Sequence, residues 1–212
     1  MHIPDGFLSV GTAATTYVIS AGSVGNAVRL ANKKLGEQQV PLMGILAAFI
    51  FAAQMLNFPV AGGTSGHFLG AALAAILLGP WAALLIMSAV LLGQSLIFQD
   101  GGLLALGANV LNMGVVATFS AYYVHKLVHG VVGGSRKGEL VSVFVASWIS
   151  VVLASAACAV ELAVSGASPF GIVLPAMLGV HVFIGIGEGL ITGAVVNLVA
   201  ATRPDLLRLE GI

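Results

Sequence analysis

The segment HFLGAALAAILLGPWAALLIMSAVLLGQSLIF, residues 67–98, decides the fold class, because it contains no Asp, Glu, Lys or Arg. Pro80 divides it into a short run, His67–Gly79, and a longer one, Trp81–Phe98. A membrane-spanning helix needs about 20 apolar residues, so the longer run is close to a full span and the shorter one is not. A short apolar piece is tolerated in a membrane where neighbouring protein covers it. We therefore expect His67–Gly79 to lie against other helices.

The whole chain is too apolar for a water-soluble protein. Of its 212 residues, 58% are hydrophobic and 8% charged, with a mean hydropathy of +1.06. Soluble domains carry about 25% charged residues. The apolar runs are continuous and rich in Ala, Leu and Gly, which favours packed helices over the alternating pattern of a β-barrel. The zero formal net charge gives no indication of nucleic-acid binding, and the single cysteine, Cys158, excludes an internal disulfide.

Seven apolar runs predict an all-α polytopic membrane protein with about seven transmembrane helices, one of them short. The runs are Phe7–Ala31, Val40–Asn57, His67–Gly79, Trp81–Phe98, Leu103–Val128, Leu140–Val164 and Pro175–Ala200. Neither an internal repeat nor a linker is visible, so we expect residues 1–212 to form a single transmembrane domain. No positively charged segment precedes the first run, and we therefore expect the N-terminus to be the mature one.

The basic residues predict the orientation of these helices. All eight Lys and Arg residues fall in three clusters, associated with the ends of the first, fifth and seventh runs. The clusters are Arg29, Lys33 and Lys34; Lys126, Arg136 and Lys137; and Arg203 and Arg208. With seven spans they share one side, which the positive-inside rule makes cytoplasmic. The N-terminus is then outside and the C-terminus cytoplasmic, and His2 and His67 both lie on the outer side.

The first six residues, MHIPDG, contain an unusual group of nitrogen donors. The α-amine of Met1, the backbone nitrogen of His2 and the imidazole Nδ1 of His2 can close two adjacent chelate rings around one ion. Nitrogen donors in one plane are preferred by Ni(II) and Cu(II), which can also drive deprotonation of a backbone amide. Pro4 stiffens the next turn, and Asp5 can accept hydrogen bonds from the backbone or an imidazole. Against this, residues at a chain end often have no function.

A second imidazole would complete a planar set, and His67 is the best candidate, because it lies on the outer side and follows the flexible sequence GGTSG. The alternative is an interfacial histidine at the start of a helix that Ser65 caps. His125 and His129 are one helical turn apart and could hold a metal. They lie beside Lys126 in a cytoplasmic segment, however, which favours a solvated helix end.

Polar side chains inside the apolar runs are candidates for supporting roles. His181 and Glu188 share a face of the last run, and ionisable groups in membrane segments are functional candidates by default, as is Glu161. For them, structural hydrogen bonding or helix coupling is favoured over direct metal ligation. Side chains that could orient liganding histidines are Asp5, Gln54, Asn57, Ser65, Gln94, Asn109 and Asn112. The HExxH motif of an intramembrane metalloprotease is absent from the sequence.

Three stretches, MHIPDGFL, PVAGGTSGHFLG and HVFIGIGEGLIT, together resemble the substrate-binding membrane component of nickel and cobalt energy-coupling-factor (ECF) transporters of the NikM/CbiM type. The resemblance covers nearly the whole chain. It implies a seven-helix protein of the prokaryotic cell (inner) membrane whose N-terminal segment enters the core. It also implies a metal held by the N-terminal amine, the amide and imidazole of the second residue, and a later histidine. On this chain these are Met1, His2 and His67.

The resemblance predicts a transporter subunit rather than an enzyme. Its partners would be a transmembrane coupling protein, a pair of ATPase subunits and a small auxiliary membrane subunit, with Ni²⁺ or Co²⁺ as the substrate and no organic cofactor. Planar nitrogen ligands favour nickel, while cobalt for cobalamin biosynthesis stays an alternative. A self-sufficient transition-metal permease would need a chain of intramembrane charges, for which only His181 and Glu188 are candidates. An intramembrane hydrolase would need a catalytic motif that the sequence lacks.

Overall fold

The computed structural model describes residues 1–37, 39–61 and 64–206 and is predominantly helical. Its α-helices are α1 (Val10–Lys34), α2 (Gln39–Gln54), α3 (Ala71–Leu78), α4 (Pro80–Gly93), α5 (Leu106–Asn109), α6 (Ala117–Val132), α7 (Arg136–Val164) and α8 (Phe170–Thr202). Arg208 of the last basic cluster, and Gly62 and Gly63 of the loop before His67, lie outside the described residues.

Two π-helical segments continue or connect these helices. Gln94–Phe98 extends α4, and Val110–Val116 joins α5 to α6 without a break. The described residues therefore contain seven continuous helical stretches, one for each apolar run. Among them, Pro80–Phe98, Arg136–Val164 and Phe170–Thr202 are long and apolar enough to cross a membrane, and α2 is a shorter apolar helix. The seven transmembrane spans and their orientation stay predictions.

The short third run forms α3, which is enclosed by other helices. All of its side chains except Ile76 are buried, and it contacts α4, α6, α7 and α8. The expectation that protein covers this run is confirmed. The helix starts only after Gly70, which adopts a left-handed conformation with φ of 78°. His67 therefore lies in the loop before α3, and the expectation that Ser65 caps a helix beginning at His67 is wrong, because Gly70 occupies the N-cap position.

A β-hairpin corrects the all-α prediction. Strands β1 (Phe58–Val60) and β2 (Thr64–Gly66) pair antiparallel, with Phe58 opposite Gly66. Each strand has only three residues, too few for the sequence to display an alternating pattern. The ring of Phe58 covers Gly66 so closely that an added Cβ would lie 2.8 Å from its Cε2 atom. The hairpin matters for the site because it ends immediately before His67.

Helices α7 and α8 pack closely through small residues. Gly185 faces Trp148 and Gly189 faces Phe144, where an added Cβ would lie 2.6 Å from the Phe144 Cδ2 atom. Trp148 Nε1 donates a hydrogen bond to the carbonyl of Val182 at 3.1 Å. Small residues that let two backbones approach are typical of helix pairs in membranes. Two of the three glycines of HVFIGIGEGLIT, Gly185 and Gly189, therefore serve helix packing.

The last helix starts earlier than predicted. It begins at Phe170 rather than Pro175, and Pro175 lies inside its first turns. Pro175 is the sixth residue of this helix and has no N–H, so the helix lacks the hydrogen bond that residue 175 would otherwise donate to the carbonyl of Gly171.

Candidate metal centre

The N-terminal segment is folded into the protein core. Met1 and Ile3 have no exposed surface, and His2 is 3% exposed. Asn109, at the end of α5, holds the backbone of Ile3 from both sides: its Oδ1 accepts from Ile3 N at 2.8 Å, and its Nδ2 donates to Ile3 O at 3.1 Å. Thr64 Oγ1 donates to His2 O at 3.1 Å. These bonds fix the backbone on which the nitrogen donors lie.

The turn after the π-helical end of α4 receives this segment. Gly102 N donates to Ile3 O at 2.9 Å, and the backbone of Gly102 lies so close to Asp5 that a side chain there would overlap it. Asp5 Oδ1 accepts from the backbone N–H groups of Leu104 at 2.7 Å and Ala105 at 3.3 Å. Of the two roles expected for Asp5, the structure therefore shows hydrogen bonding to the backbone.

Four nitrogen atoms of the predicted ligands lie together in this core. The Met1 amine is 2.9 Å from His67 Nε2, and the imidazoles of His2 and His67 stack with centroids 4.6 Å apart and planes at 30°. The backbone nitrogen and Nδ1 of His2 follow directly along the chain and complete the group. The structure thus brings Met1, His2 and His67 together, as the sequence predicts for a metal site, although their role as ligands stays a prediction.

Both imidazoles have a hydrogen-bond partner for the ring nitrogen that faces away from this group. His67 Nδ1 donates to Phe68 O at 2.7 Å, which leaves a lone pair on Nε2. His2 Nε2 donates to Gln94 Oε1 at 2.9 Å, which leaves a lone pair on Nδ1. Fixing the tautomer of a liganding histidine through its second nitrogen is typical of metal sites. Gln94 therefore has the orienting position that the sequence predicted.

Ser65 holds the donors in place. Its Oγ lies 3.2 Å from Met1 N, 3.2 Å from His2 N and 3.5 Å from His2 Nδ1. Its carbonyl also accepts a hydrogen bond from the Met1 amine. Ser65 thus contacts three of the four nitrogens, and its position follows from strand β2, in which it pairs with Pro59.

Asp100 is a site residue that the sequence analysis missed. Its Oδ1 lies 3.4 Å from His2 Nδ1, and its Oδ2 accepts from Asn57 Nδ2 at 2.9 Å. Since the His2 proton is on Nε2, the carboxylate oxygen of Asp100 faces the lone pair on His2 Nδ1. A cation between or beside these two atoms would stabilise the arrangement. The sequence signal of Asp100 was that of a turn, QDGG, so composition alone did not distinguish it. Asn57 acts on this carboxylate rather than on a histidine.

Burial keeps the nitrogen donors unprotonated. It lowers the pKa of the Met1 amine from 8.0 to about 5, and together with the nearby amine it lowers the pKa of His2 to about 3. Burial also lowers the pKa of His67 well below its usual value, with the amine and His2 adding to the effect. Burial raises the pKa of Asp100. At neutral pH, therefore, the amine and both imidazoles have free lone pairs for a metal.

These pKa shifts predict how many protons are released when Ni²⁺ binds. With the amine and imidazoles already neutral at pH 7, only the backbone amide of His2 has a proton to lose, so about one proton should leave per ion. If the amine and both imidazoles had their ordinary pKa values, about 2.4 protons would leave per ion at pH 7. Below about pH 5 the amine becomes protonated, and affinity should then fall more steeply as the pH falls. Calorimetry in buffers of different ionisation enthalpy measures the proton count, and a count above two at pH 7 would contradict this account.

Glu188 shapes the loop that contains His67 rather than facing the nitrogens. Its two carboxylate oxygens accept from Leu69 N and Gly70 N, both at 2.7 Å, at the N-terminus of α3. Gln54 Nε2 donates to Leu69 O at 2.6 Å from the other side. A carboxylate at a helix N-terminus is also favoured by the helix dipole. Glu188 and Gln54 therefore position His67 through its loop, which agrees with the structural role preferred for Glu188.

We expect Glu188→Gln to weaken Ni²⁺ binding about tenfold, in the range of changes to outer partners of metal ligands. The amide keeps one acceptor but directs an NH₂ group at a backbone N–H, so the loop before α3 shifts. Calorimetric titration measures the affinity. Glu161→Gln is the matched control, because this buried carboxyl on α7 accepts from Asn112 Nδ2 at 2.6 Å and should leave the affinity unchanged. Equal effects of the two substitutions would argue against a positioning role for Glu188.

His181 lies beside the nitrogen group without belonging to it. Its Nδ1 donates to Met177 O at 2.7 Å, one turn back in α8, and it is near enough to His67 to contribute to the lowered pKa of that ring. Its buried Nε2 has no hydrogen-bond partner among the described residues. Asn112 bonds Glu161 and not a histidine, so of the expected orienting side chains only Gln94 and Ser65 contact the candidate ligands directly.

Several known proteins are similar to this chain in sequence and in fold. Residues 2–206 match the family model described as the cobalt uptake substrate-specific transmembrane region. A putative fused nickel transport protein of Archaeoglobus fulgidus is 45% identical over 98% of this chain and 68% of its own length. A putative metal transport protein of Haloquadratum walsbyi is 43% identical over 98% of this chain and 93% of its own length. A cobalt transport protein of Geobacter sulfurreducens is 31% identical over 100% of this chain and 63% of its own length. The crystal structure of a truncated transition metal transporter superposes with a TM-score of 0.88 at 34% identity, covering 95% of this chain and 99% of that one.

Proposed function

The chain belongs to the CbiM family of cobalt-uptake substrate-specific transmembrane proteins, and on this premise we propose that it captures Ni²⁺, or Co²⁺, at the extracytoplasmic face for an ATP-driven ECF-type importer. Its relatives are nickel and cobalt transport proteins, so it is a transport component and not an enzyme. The proposal adds to this the site of capture, the side of the membrane and the source of energy.

The observation that carries the proposal is the convergence of four nitrogens from Met1, His2 and His67 in a buried site. Three of them belong to the first two residues of the chain, and the buried Met1 amine lies 2.9 Å from His67 Nε2. The amine, amide and Nδ1 of the first two residues close two chelate rings, and His67 Nε2 supplies the remaining donor. An ion bound there takes the place of the hydrogen bond between the Met1 amine and His67, and it displaces the proton of the His2 amide.

Nickel is the favoured substrate on chemical grounds. Nitrogen donors in a plane suit Ni(II), and ions without this preference, such as Mg²⁺ and Ca²⁺, take oxygen ligands. Cu(II) would bind such a set still more tightly, so selectivity also depends on geometry and on metal availability. Cobalt is the alternative, because relatives named for cobalt transport match the chain at 31% identity.

The distribution of charge supports capture on the outer side. Helix α1 begins at Val10 near the N-terminal segment and ends at Lys34, so the cluster Arg29, Lys33 and Lys34 lies about 28–36 Å along the helix at about 1.5 Å per residue. Basic clusters mark the cytoplasmic side of membrane proteins. With this orientation the nitrogen site lies toward the outer side of a prokaryotic cell (inner) membrane that the chain crosses several times.

We extend the proposal to the partners. A transmembrane coupling protein, ATPase subunits and a small auxiliary membrane subunit would move the ion, since the sequence contains no nucleotide-binding motif. A self-sufficient permease is less well supported, because Glu188 is engaged at the N-terminus of α3 and Glu161 with Asn112, so neither forms part of a chain of free charges.

Uptake into proteoliposomes tests the proposal. The chain reconstituted alone should bind ⁶³Ni²⁺ without accumulating it, and accumulation should require the ATPase partners and ATP. Accumulation by the chain alone, driven by an ion gradient or by the nickel gradient itself, would instead identify a self-sufficient permease.

A further inference from the structure

A second group of metal-binding side chains lies where α6 meets α7. His125 and His129 are one turn apart on α6, and Glu139 is in the first turn of α7. One potential ligand atom from each lies within 4.8 Å of the others, and in the part of the chain that the structure describes this is the one group of three His, Cys, Asp or Glu residues that meets this condition. Two imidazoles and a carboxylate are a common ligand set for transition metal ions.

Glu139 lies between the two imidazoles. Its Oε1 is 3.2 Å from His125 Nε2, and its Oε2 is 2.8 Å from His129 Nδ1. The His129 Nδ1 atom is buried yet makes no well-directed hydrogen bond within the described residues. Around a transition metal ion with bonds of about 2.0–2.2 Å, neighbouring ligand atoms lie roughly 3 Å apart. Small side-chain rotations would therefore bring these three side chains to bonding distance of one ion.

Two cationic side chains of α6 and α7, Lys126 and Arg136, have hydrogen-bond partners outside this group. Arg136 donates from Nε and Nη2 to Asn197 Oδ1 of α8 at 2.9 and 2.7 Å. Lys126 donates to the hydroxyl of Tyr122 at 3.4 Å and lies over its ring. Neither partner is charged, so Arg136 and Lys126 keep their positive charges near this group, and the Glu139 carboxylate supplies the opposite charge for a bound cation. The serious alternative is a hydrogen-bonded ion pair of Glu139 with protonated imidazoles, which needs no metal.

An ion has access to this group from water. The side chains of His125, His129 and Glu139 are 17%, 40% and 33% exposed. A cavity of about 490 Å³ reaches His125 and Glu139, and its lining also includes Ile76 of α3 and Val196 of α8. Because these three side chains are partly exposed and lie beside a cavity, water molecules have room to complete the coordination of the ion.

We propose that His125, His129 and Glu139 form a second site for a divalent transition metal ion, at the opposite end of the molecule from the nitrogen site. One helical stretch links the two ends: Asn109 bonds Ile3 at one end, and His125 lies about 24 Å further along at about 1.5 Å per residue. Three protein ligands leave coordination positions open, in contrast to four nitrogens in a plane, so the second site binds more weakly and exchanges its ion faster. The inference rests on the proposed function only for the choice of Ni²⁺ and Co²⁺ as its ions.

Titration with Co²⁺ tests the second site in the full chain, purified in detergent without a polyhistidine tag. The nitrogen site is disabled by adding four residues, Gly-Ser-Gly-Ser, ahead of Met1. The wild type should bind two ions per chain and the extended protein one, with the visible absorption of Co²⁺ bound by two imidazoles and a carboxylate. In the extended background, Glu139→Gln and His129→Gln should each weaken the remaining site at least about tenfold. Lys126→Gln, on the same helix surface, should leave it unchanged.

The outcomes separate this inference from the proposed function. The second site would be overturned if the extended protein bound no ion. It would also be overturned if Glu139→Gln and His129→Gln both bound the remaining ion with unchanged affinity. Failure of the extension to remove any ion from the wild-type count would instead contradict the nitrogen site. Thermal unfolding of each variant verifies that it is folded, and His125→Gln provides a further ligand substitution if either of the others does not fold.

Discussion

Extending the chain by four residues ahead of Met1 should abolish high-affinity Ni²⁺ binding. The extension turns the α-amine of Met1 into a peptide nitrogen and removes the chelate rings of the first two residues. The folded protein also has no room for the extension, because Met1 is fully buried and its amine donates a hydrogen bond to Ser65 and lies against His67. Losing or misplacing at least two of four donors should weaken binding by about 10³-fold or more, since even outer partners of ligands are worth 10- to 100-fold. Isothermal titration calorimetry on the untagged protein measures the loss.

The length of the extension matters to this experiment. A single added residue would make His2 the third residue, where the new amine, two amides and the imidazole form a competing four-nitrogen chelate for Ni²⁺. Four added residues avoid this arrangement. The same four residues placed after Ile212 are the control and should leave affinity unchanged. Tight Ni²⁺ binding by the N-terminally extended protein would contradict the ligand assignment.

We expect His67→Ala to weaken Ni²⁺ binding by about 100-fold, the upper range for partners of metal ligands, and to leave a site of three nitrogens. The amine, amide and Nδ1 of the first two residues remain, and water takes the fourth position. Added imidazole should restore part of the affinity, because truncation at His67 opens a space beside the Met1 amine. Competition with a chelator of known affinity measures both effects.

His181→Gln is the matched control for His67→Ala. Both histidines are buried, but only His67 directs a ring nitrogen at the Met1 amine, whereas the Nδ1 of His181 is bonded to Met177 O. The control should therefore change affinity by less than about threefold and should show no response to added imidazole. An unchanged affinity in His67→Ala, or an equal loss in His181→Gln, would remove His67 from the ligand set.

The helices were predictable because their cause is local in the sequence. Long apolar runs between charged or glycine-rich segments specify helices wherever they occur, and every predicted run corresponds to a helical stretch. The hairpin Phe58–Val60 and Thr64–Gly66 was not predictable, because three-residue strands are stabilised by their neighbours rather than by a pattern of their own. The π-helical segments Gln94–Phe98 and Val110–Val116 likewise have no sequence signal.

The candidate site shows the same division between local and distant causes. Met1 and His2 were predictable as donors because a terminal amine, an amide and an imidazole are adjacent in the chain. Asp100 was not, because its approach to His2 Nδ1 depends on how the turn after α4 packs on the N-terminal segment. The role of Glu188 likewise depends on α8 placing it under the N-terminus of α3, a contact between residues 119 positions apart.

The electronic state of bound Ni²⁺ tests the central claim most directly, because four nitrogens in a plane impose a low-spin configuration. The untagged wild-type protein is loaded with one equivalent of Ni²⁺, and its visible absorption and magnetic susceptibility are measured. We predict a yellow, diamagnetic complex. A green, paramagnetic complex, typical of six-coordinate Ni²⁺ with oxygen ligands, would contradict the proposed site.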